Sequence, residues 1–550
     1  MRSCFRALIV IMVLFTAAPA QPMFTYVSPN EAQDGYFGKS VSGAGDVNND
    51  GYFDVIIGAP GESPGSSPDG SGRVYVFNGM NADIIFTLYS QNEQLDGGFG
   101  RSVSSAGDVN DDGLDDLIVG APFEGGGTGV TEGGMAYVFD GEDGSIIYEL
   151  DSPNAENYGH FGWSVSWAGD VNNDGYDDVI VGAYGESPGA SPDSAGRAYV
   201  FSGETGNIIH TLESPNEEAG GSFGFSVSYA GDLDSDDHDE VIVGAYREDA
   251  QEYYVDSGRA YIFNGATGGI YYSLTAPSSE ENGWYGYSVS QAGDVNHDNY
   301  DDVVVGAPNE ELTSHPDGSG RVHIHSGMTS GSIWSLVSPN QQVNGAFGSS
   351  VSGGFDANNN GFDDVIIGAP GETGSTRAPG MAYVFSGWGG YALNILEATE
   401  DDGNFGFSVS GAGDMNNHLG GEVLVGGYMQ DPGGSPDNAG RAYSYLLEPS
   451  MDITATLTGD DFDLSWTPCP EAQFYWVYGA DNAAFFVPTL WPQFLYRLDT
   501  LDSSTTTWSS TNGIGDSDHN WSYVILAVSA FWQEMCRTEV VGEFDFSIEQ

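Results

Sequence analysis

The 550-residue chain reads as an all-β protein: a closed ring of seven four-stranded sheets, that is, a seven-bladed β-propeller, followed by a smaller β-sandwich. Three observations predict this. A motif recurs at a nearly constant interval, each copy contains four short strand-like runs, and 80 Gly with 24 Pro are too many for a helical protein.

The recurring string is GlyAspValAsn or a close variant. Its Asp falls at Asp46, Asp108, Asp170, Asp232, Asp294, Asp356 and Asp414, spaced by 62 residues five times and by 58 once. Each copy runs in one order: PheGly-x-SerValSer-x-AlaGly, an acidic loop, AspValIleValGlyAla, a Gly/Pro/Ser-rich loop, GlyArgAlaTyrValPhe and an IleIleHisThrLeu-type run. Apolar or alternating runs separated by turn residues read as four antiparallel strands, and no helical period is present. Such a unit must cover both faces of its sheet. A ring of face-packed blades does so and leaves no long open edge. The seventh copy stops at Pro449 without a fourth strand. Residues 23–30, MetPheThrTyrValSerProAsn, match 209–216, IleHisThrLeuGluSerProAsn, so the N-terminal strand is expected to complete the last blade.

Outside the ring, residues 1–20 read as a signal peptide. Arg2 and Arg6 precede an apolar run that ends in Ala18-Pro19-Ala20, with cleavage expected before Gln21 and secretion or cell-surface display as its consequence. That run is short for a membrane span of ~20 residues, and no later stretch could cross a bilayer. The ring occupies 21–449 and the sandwich 450–550. Cys4 leaves with the signal, so Cys469 and Cys536 remain as candidates for a disulfide in an oxidising compartment.

Charge narrows the function. With 80 Asp+Glu against 13 Lys+Arg the net charge is -67, and Lys39 is the sole lysine. A 40% hydrophobic content separates the chain from disordered acidic tails. The missing cations argue against nucleic acid or an anionic membrane as partner. More acid is present than the loops use, which suits a surface kept soluble at high salt.

The acidic loops place oxygen side chains at fixed positions. In the first, Asp46, Asn48, Asp50 and Asp54 stand at positions one, three, five and nine, and the carbonyl of Tyr52 is available at position seven. A hard cation such as Ca²⁺ takes six to eight oxygens, and these donors with a water would fill its shell. Gly51 at position six must let the chain fold back, which favours a positive φ. The second loop repeats the set with Asp108, Asn110, Asp112, Leu114 and Asp116, and the third with Asp170, Asn172, Asp174, Tyr176 and Asp178. The fourth offers Asp232, Asp234, Asp236, His238 and Glu240, and the fifth Asp294, Asn296, Asp298, Tyr300 and Asp302. The sixth, with Asp356, Asn358, Asn360, Phe362 and Asp364, has one carboxylate fewer and is expected to bind more weakly. The seventh puts His418 and Leu419 among Asp414, Asn416 and Glu422 and is expected to stay empty. About six structural Ca²⁺ sites follow. A full oxygen shell leaves the ion no open position for catalysis.

PheGly, then AspValAsnAsnAspGly, then GlyAlaPro, repeated seven times over residues 22–448, resembles the FG-GAP repeats of the integrin α-subunit β-propeller. Three GlyAlaPro positions depart from it, as GlyAlaTyr (182–184 and 244–246) and GlyGlyTyr (426–428). Because strands alternate in direction, the acidic loops and the three-four connections share one face of the ring. The opposite face carries the longer loops 60–72, 122–134, 184–196, 246–258, 308–320, 370–380 and 428–440. Loops on a rigid scaffold are where recognition tends to sit, and the resemblance implies that this is the ligand side. Arg247, Tyr253, Tyr254, Trp284 and Tyr285 are the candidate ligand contacts there.

Other recurring residues read as structural. Arg73, Arg197, Arg259, Arg321 and Arg441 open third strands and are expected to pair with carboxylates. His323 and His325 stand where other blades have Tyr and Phe, so they are expected to pack as aromatics. No Ser/His/Asp or Cys/His arrangement emerges. The C-terminal spacing resembles a fibronectin type III domain, with Trp466 as its core tryptophan and 521–528 as its sixth strand. Together these imply a secreted Ca²⁺-binding, non-catalytic protein for adhesion or extracellular recognition of a protein or glycan. The alternatives are an extracellular hydrolase or lyase that uses the ring as a scaffold, or a surface-layer or matrix component.

Overall fold

A computed structural model describes residues 22–447 apart from short loop segments (64, 66, 126–129, 188–192, 251–254, 312–316, 375–378, 399–402, 417–420 and 432–435), and then the backbone of seven strands between 453 and 537. The chain divides into a compact unit, Ala20–Leu447, and a second that takes in Glu448–Gln550. The described residues contain strands and no helix.

The first unit holds seven four-stranded antiparallel sheets. In the first, Ser40–Gly45, Asp54–Ala59, Arg73–Phe77 and Ile84–Leu88 lie side by side in chain order. The first strand of every sheet contacts its counterparts in both neighbouring sheets, in an unbroken circle. The ring is a seven-bladed β-propeller. Its last sheet orders Ser408–Gly413, Glu422–Gly427 and Arg441–Leu446, with Phe24–Tyr26 as the outermost strand. Phe24 pairs with Ser444 and Tyr26 with Ala442, so the N-terminal strand does close the ring.

Burial follows from stacking. Second strands such as Asp54–Ala59 and Asp178–Ala183 are buried throughout, because a blade lies against each of their faces. Hence they are continuous apolar runs rather than alternating ones. Outer strands such as Ile84–Leu88 are mostly half-buried or exposed. Each core cluster joins two neighbouring blades. Val74, Val76 and Leu88 meet Phe99, Val119 and Phe139 between the first and second. Tyr26, Phe37 and Phe77 meet Met415 and Leu424 across the closing seam.

The PheGly motif is an inter-blade rivet. Phe161 is fully buried in one cluster with Ile118, Val138 and Leu150 of the preceding blade, its ring 5.8 Å from Tyr199 and 5.9 Å from Phe201 of its own. Burying one such side chain is worth roughly 1.5–3 kcal/mol. The GlyAla glycine is needed for close approach: a Cβ on Gly58 would lie 2.0 Å from the Gly100 carbonyl oxygen.

A recurrent glutamate in the two-three loops, unremarked in the sequence, ties each tyrosine of the third strand. Tyr75 donates to Glu62, Tyr137 to Glu124 and Tyr261 to Glu248, each at 2.5 Å. Tyr199 and Tyr383 donate likewise to Glu186 and Glu372. In the fifth blade His323 takes the tyrosine position and meets Glu310 at 2.7 Å, and in the seventh Tyr443 meets Gln430 at 2.6 Å.

Two expectations need correction. Tyr285 is not a ligand-face residue: it fills the phenylalanine position of the fifth PheGly, is fully buried, and has its hydroxyl 2.9 Å from His325 Nε2. Phenylalanines pair at those two positions in most blades, whereas here a Tyr–His pair keeps both polar atoms partnered. Arg259 forms no ion pair among the described residues. Its guanidinium donates to the carbonyls of Asp249 and Ala250, at 2.8–3.2 Å. Arg73 with Glu93 (2.7 Å), Arg197 with Glu213 (3.0 Å) and Arg321 with Glu310 (3.5 Å) do pair as expected.

In the second unit, Ile453–Thr458, Asp461–Trp466 and Thr507–Ser510 form a three-stranded sheet. Tyr496–Asp502, Phe474–Asp481, Trp521–Val528 and Glu534–Arg537 form a four-stranded one, in that order. The Trp466 side chain, the Cys469–Cys536 bridge and the signal segment 1–20 lie outside the described residues.

Candidate metal centres and the opposite face

Each acidic loop joins the first two strands of a blade, and six of them share one hydrogen-bond pattern. The first-position Asp accepts the amides of residues five and six, as Asp170 does from Asp174 (3.0 Å) and Gly175 (2.8 Å). The fifth-position oxygen accepts the seventh amide, from Tyr52, Leu114, Tyr176, His238, Tyr300 and Phe362 in turn, at 2.9–3.1 Å. Gly51 has φ 88° and Gly113 φ 90°, as the fold-back requires. Asp237 (65°) and Asn299 (66°) adopt the left-handed region in their place. The fourth residue is left-handed too, from Asn49 (54°) to His297 (61°), a constraint that ligand spacing alone does not reveal.

Burial grades the donors. Asp46, Asn48, Asp108, Asn110, Asn172, Asp232, Asp294, Asn296 and Asp356 are half-buried, whereas Asp50, Asp112, Asp174, Asp234 and Asp236 are exposed. Asp298 and Asn360 are half-buried, and Asn358 is buried. The ninth-position carboxylates Asp54, Asp116, Asp178, Glu240, Asp302 and Asp364 are fully buried. Each accepts the amide of a glycine just past the third strand, for example Gly141 to Asp116 at 2.8 Å and Gly203 to Asp178 at 3.0 Å. No salt bridge reaches any of the six among the described residues. Burial, reinforced by neighbouring carboxylates, pushes Asp54, Asp116 and Asp178 up to about 7 and Glu240 and Asp302 to about 8.

A buried carboxylate flanked by other carboxylates and lacking a cationic side chain is costly, and a divalent ion removes that cost. The donor chemistry fits one. All the positions offer oxygen, and Asn48 Oδ1 and Asn358 Oδ1 are buried with no hydrogen-bond partner among the described residues. In the fourth blade Asp232, Asp234 and Glu240 already bring oxygens within 4.8 Å of one another. In the second, Asp112 converges instead with Asp140 and Glu142 of the three-four turn, which lie outside the nine-residue loop. Asn264, on the equivalent turn, donates to Asp234 and Glu240, each at 3.2 Å. Of the seventh loop, His418 and Leu419 lie outside the described residues. Its Glu422 is fully buried like its counterparts.

The eighth residues supply a further set of ties. Asp115 accepts the Asp46 amide of the preceding blade at 3.2 Å, and Asp177, Asp239 and Asp363 accept those of Asp108, Asp170 and Asp294 at 2.8–2.9 Å. The acidic doublets at 115–116, 177–178, 239–240 and 363–364 were the visible signal for these ties.

On the opposite face the three tyrosines that replace proline join a belt of rings. Tyr184 lies 4.9 Å from Trp163, Tyr246 4.6 Å from Phe225, and Tyr428 4.6 Å from Phe407. Arg247 is exposed with its guanidinium 5.2 Å from the Tyr246 ring, and Trp284 is half-buried 5.9 Å from the same ring. Tyr253 and Tyr254 lie outside the described residues.

The FG-GAP repeat family matches residues 37–77, 99–139, 161–201, 223–263, 285–325 and 347–385, the PheGly-to-third-strand portion of six blades. Integrin alpha-5 of Xenopus laevis is 31% identical over 255 residues, covering 44% of this chain and 23% of that protein. Integrin alpha-8 of Gallus gallus is 30% identical over 238 residues (40% and 21%), and integrin alpha-IIb of Mus musculus 40% identical over 167 (28% and 16%). The chain thus spans less than a quarter of the length of these relatives. A solved pectate lyase, PelI of Erwinia chrysanthemi, overlaps 17% of this chain and 27% of its own at 18% identity and a TM-score of 0.14, a likeness that carries no argument. The six matched repeats, the seven-bladed ring and the integrin α relatives place the chain in the FG-GAP repeat family, with a propeller of the integrin α kind.

Proposed function

We propose that the protein is a secreted Ca²⁺-binding propeller that acts, without catalysis, in adhesion or extracellular ligand recognition. The observation that carries the Ca²⁺ reading is the fully buried ninth-position carboxylate of six loops, uncompensated by any salt bridge among the described residues. Asp46, Asn48, Asp50 and Asp54 and their counterparts hold the ion, which ties the first two strands of each blade. The recognition reading is supported by the likeness to integrin α chains and by the varied residues on the face away from the loops. Among the described residues no helix is long and apolar enough to cross a membrane. The strand orders of the two C-terminal sheets support a fibronectin type III-like sandwich that spaces or docks the ring. Elemental analysis of the purified protein is expected to find about six Ca²⁺ per chain, and isothermal titration of the chelated protein to refill them. A metal content near zero after dialysis against Ca²⁺ would refute the reading.

A further inference from the structure

On the face away from the acidic loops, the residue after each PheGly glycine takes an equivalent position in all seven blades. Five blades place Trp163, Phe225, Tyr287, Ser349 and Phe407 there, but the first two place Lys39 and Arg101. The Lys39 ammonium lies 3.5 Å from the centroid of the Tyr428 ring and 3.9 Å from that of Phe407, and the Arg101 guanidinium 4.1 Å from that of Trp163. Neither cation forms a salt bridge among the described residues, in a chain of net charge -67. Burial, with Arg101 nearby, pulls the Lys39 ammonium down to about 7, and burial lowers Arg101 as well. With 80 acids available in the chain, two half-buried cations rest on aromatic rings and form no ion pair among the described residues.

Both line a cleft of about 970 Å³, at the upper end of the size range of small-ligand sites. Tyr36, Phe123 and Tyr428 also line it, and Gln94, Asp96, Thr131 and Glu132 add polar groups. Tyr428 is one of the tyrosines that replace proline in GlyAlaPro, so that departure from the repeat helps to build the cleft. An anion supplies the counter-charge. Aromatic faces accept the C–H face of a pyranose, and amide, hydroxyl and carboxylate groups suit sugar hydroxyls. The strongly negative remainder of the chain disfavours a ligand with many charges.

We infer that this cleft binds an acidic sugar, a uronic acid unit of a polysaccharide, with its carboxylate between Lys39 and Arg101 and its ring against the aromatic wall. The inference rests on the recognition reading and narrows it to one ligand class. The test is calorimetric titration of the full-length Ca²⁺-loaded protein with xylotetraose bearing a single glucuronic acid and with unbranched xylotetraose. The branched sugar is expected to bind at least tenfold tighter, and the Lys39→Gln/Arg101→Gln pair to remove that difference. Should the pair fail to fold, Tyr428→Pro, which restores the common repeat, is expected to weaken both sugars. Equal binding of the two sugars, or tighter binding of an acidic tetrapeptide, overturns the assignment. If neither sugar binds while the protein is still retained on cell-surface material, the sugar assignment falls and the recognition reading stands. If there is no retention either, both fall.

Discussion

The two rims of the ring are built from the same seven repeats, yet they treat repetition in opposite ways. On the loop rim, six blades use the same residue classes at the same positions for the same hydrogen bonds, down to the amide that each buried carboxylate accepts. On the other rim a single equivalent position holds Lys39, Arg101, Trp163, Phe225, Tyr287, Ser349 and Phe407. Uniformity marks what every blade needs in order to stand. Divergence marks where one blade does something its neighbours do not.

Chelation probes the uniform rim and carries the largest expected effect. A site saturated a hundredfold above its dissociation constant contributes about 2.7 kcal/mol. With several sites, EDTA should lower the melting temperature by on the order of 10 °C or more, and Ca²⁺ should restore it. A calorimetric scan unchanged by EDTA would erase the contrast between the rims.

Glu240→Gln sharpens the same point, because its sign depends on the ion. With Ca²⁺ present it should cost about 2–3 kcal/mol through lost affinity. In EDTA it should be neutral or stabilising, since it replaces a carboxyl that burial among other carboxylates raises to about 8. Denaturant melts in the two buffers are enough to decide.

The Tyr–Glu ties on the variable side respond to pH. Burial raises Glu62, Glu124, Glu248 and Glu372 to about 7 from an ordinary 4.5. An acid whose pKa is raised by folding favours the folded state while protonated. That contribution is present below about pH 4.5 and is lost as pH climbs to about 7. Glu62→Gln keeps the acceptor and removes the charge, as Gln430 does in the seventh blade. It should be near neutral at pH 5 and stabilising by about 1–2 kcal/mol at pH 8. A pH-independent difference between the two proteins would show that Glu62 does not titrate as argued.

The smallest effect belongs to Tyr285. Tyr285→Phe leaves His325 Nε2 without its partner and should cost about 1 kcal/mol, and adding His325→Phe, the pair used by other blades, should recover most of it. Additive losses in that cycle would show that the two residues do not act as a unit.

The repeat, the blade and the ring closure were legible because each is written in local strings: an interval of 62 residues, four runs, and an N-terminal segment that matches a fourth strand. Positions one, three, five and nine were legible for the same reason, since they lie within nine residues. What escaped was whatever crosses between copies. Asp177 meets Asp108 across 69 positions, and Asn264 reaches Asp234 across 30. Spacing within one loop says nothing of either. Tyr285 was misplaced because an aromatic beside Trp284 in a connecting segment looks like surface. Alignment to the other six PheGly positions shows it to be core. Arg259 meets the carbonyls of Asp249 and Ala250, because a guanidinium is satisfied as readily by a carbonyl as by a carboxylate.

The outermost strand of the last sheet has a consequence for biogenesis. Tyr26 and Ser444, which meet in the finished ring, are 418 residues apart, so at about 5–20 residues per second a ribosome needs roughly 20–80 s to deliver the second after the first. Throughout that interval Phe24–Tyr26 lacks the strand it pairs with in the finished ring. The nascent chain must therefore keep that strand from other partners until Arg441–Leu446 emerges.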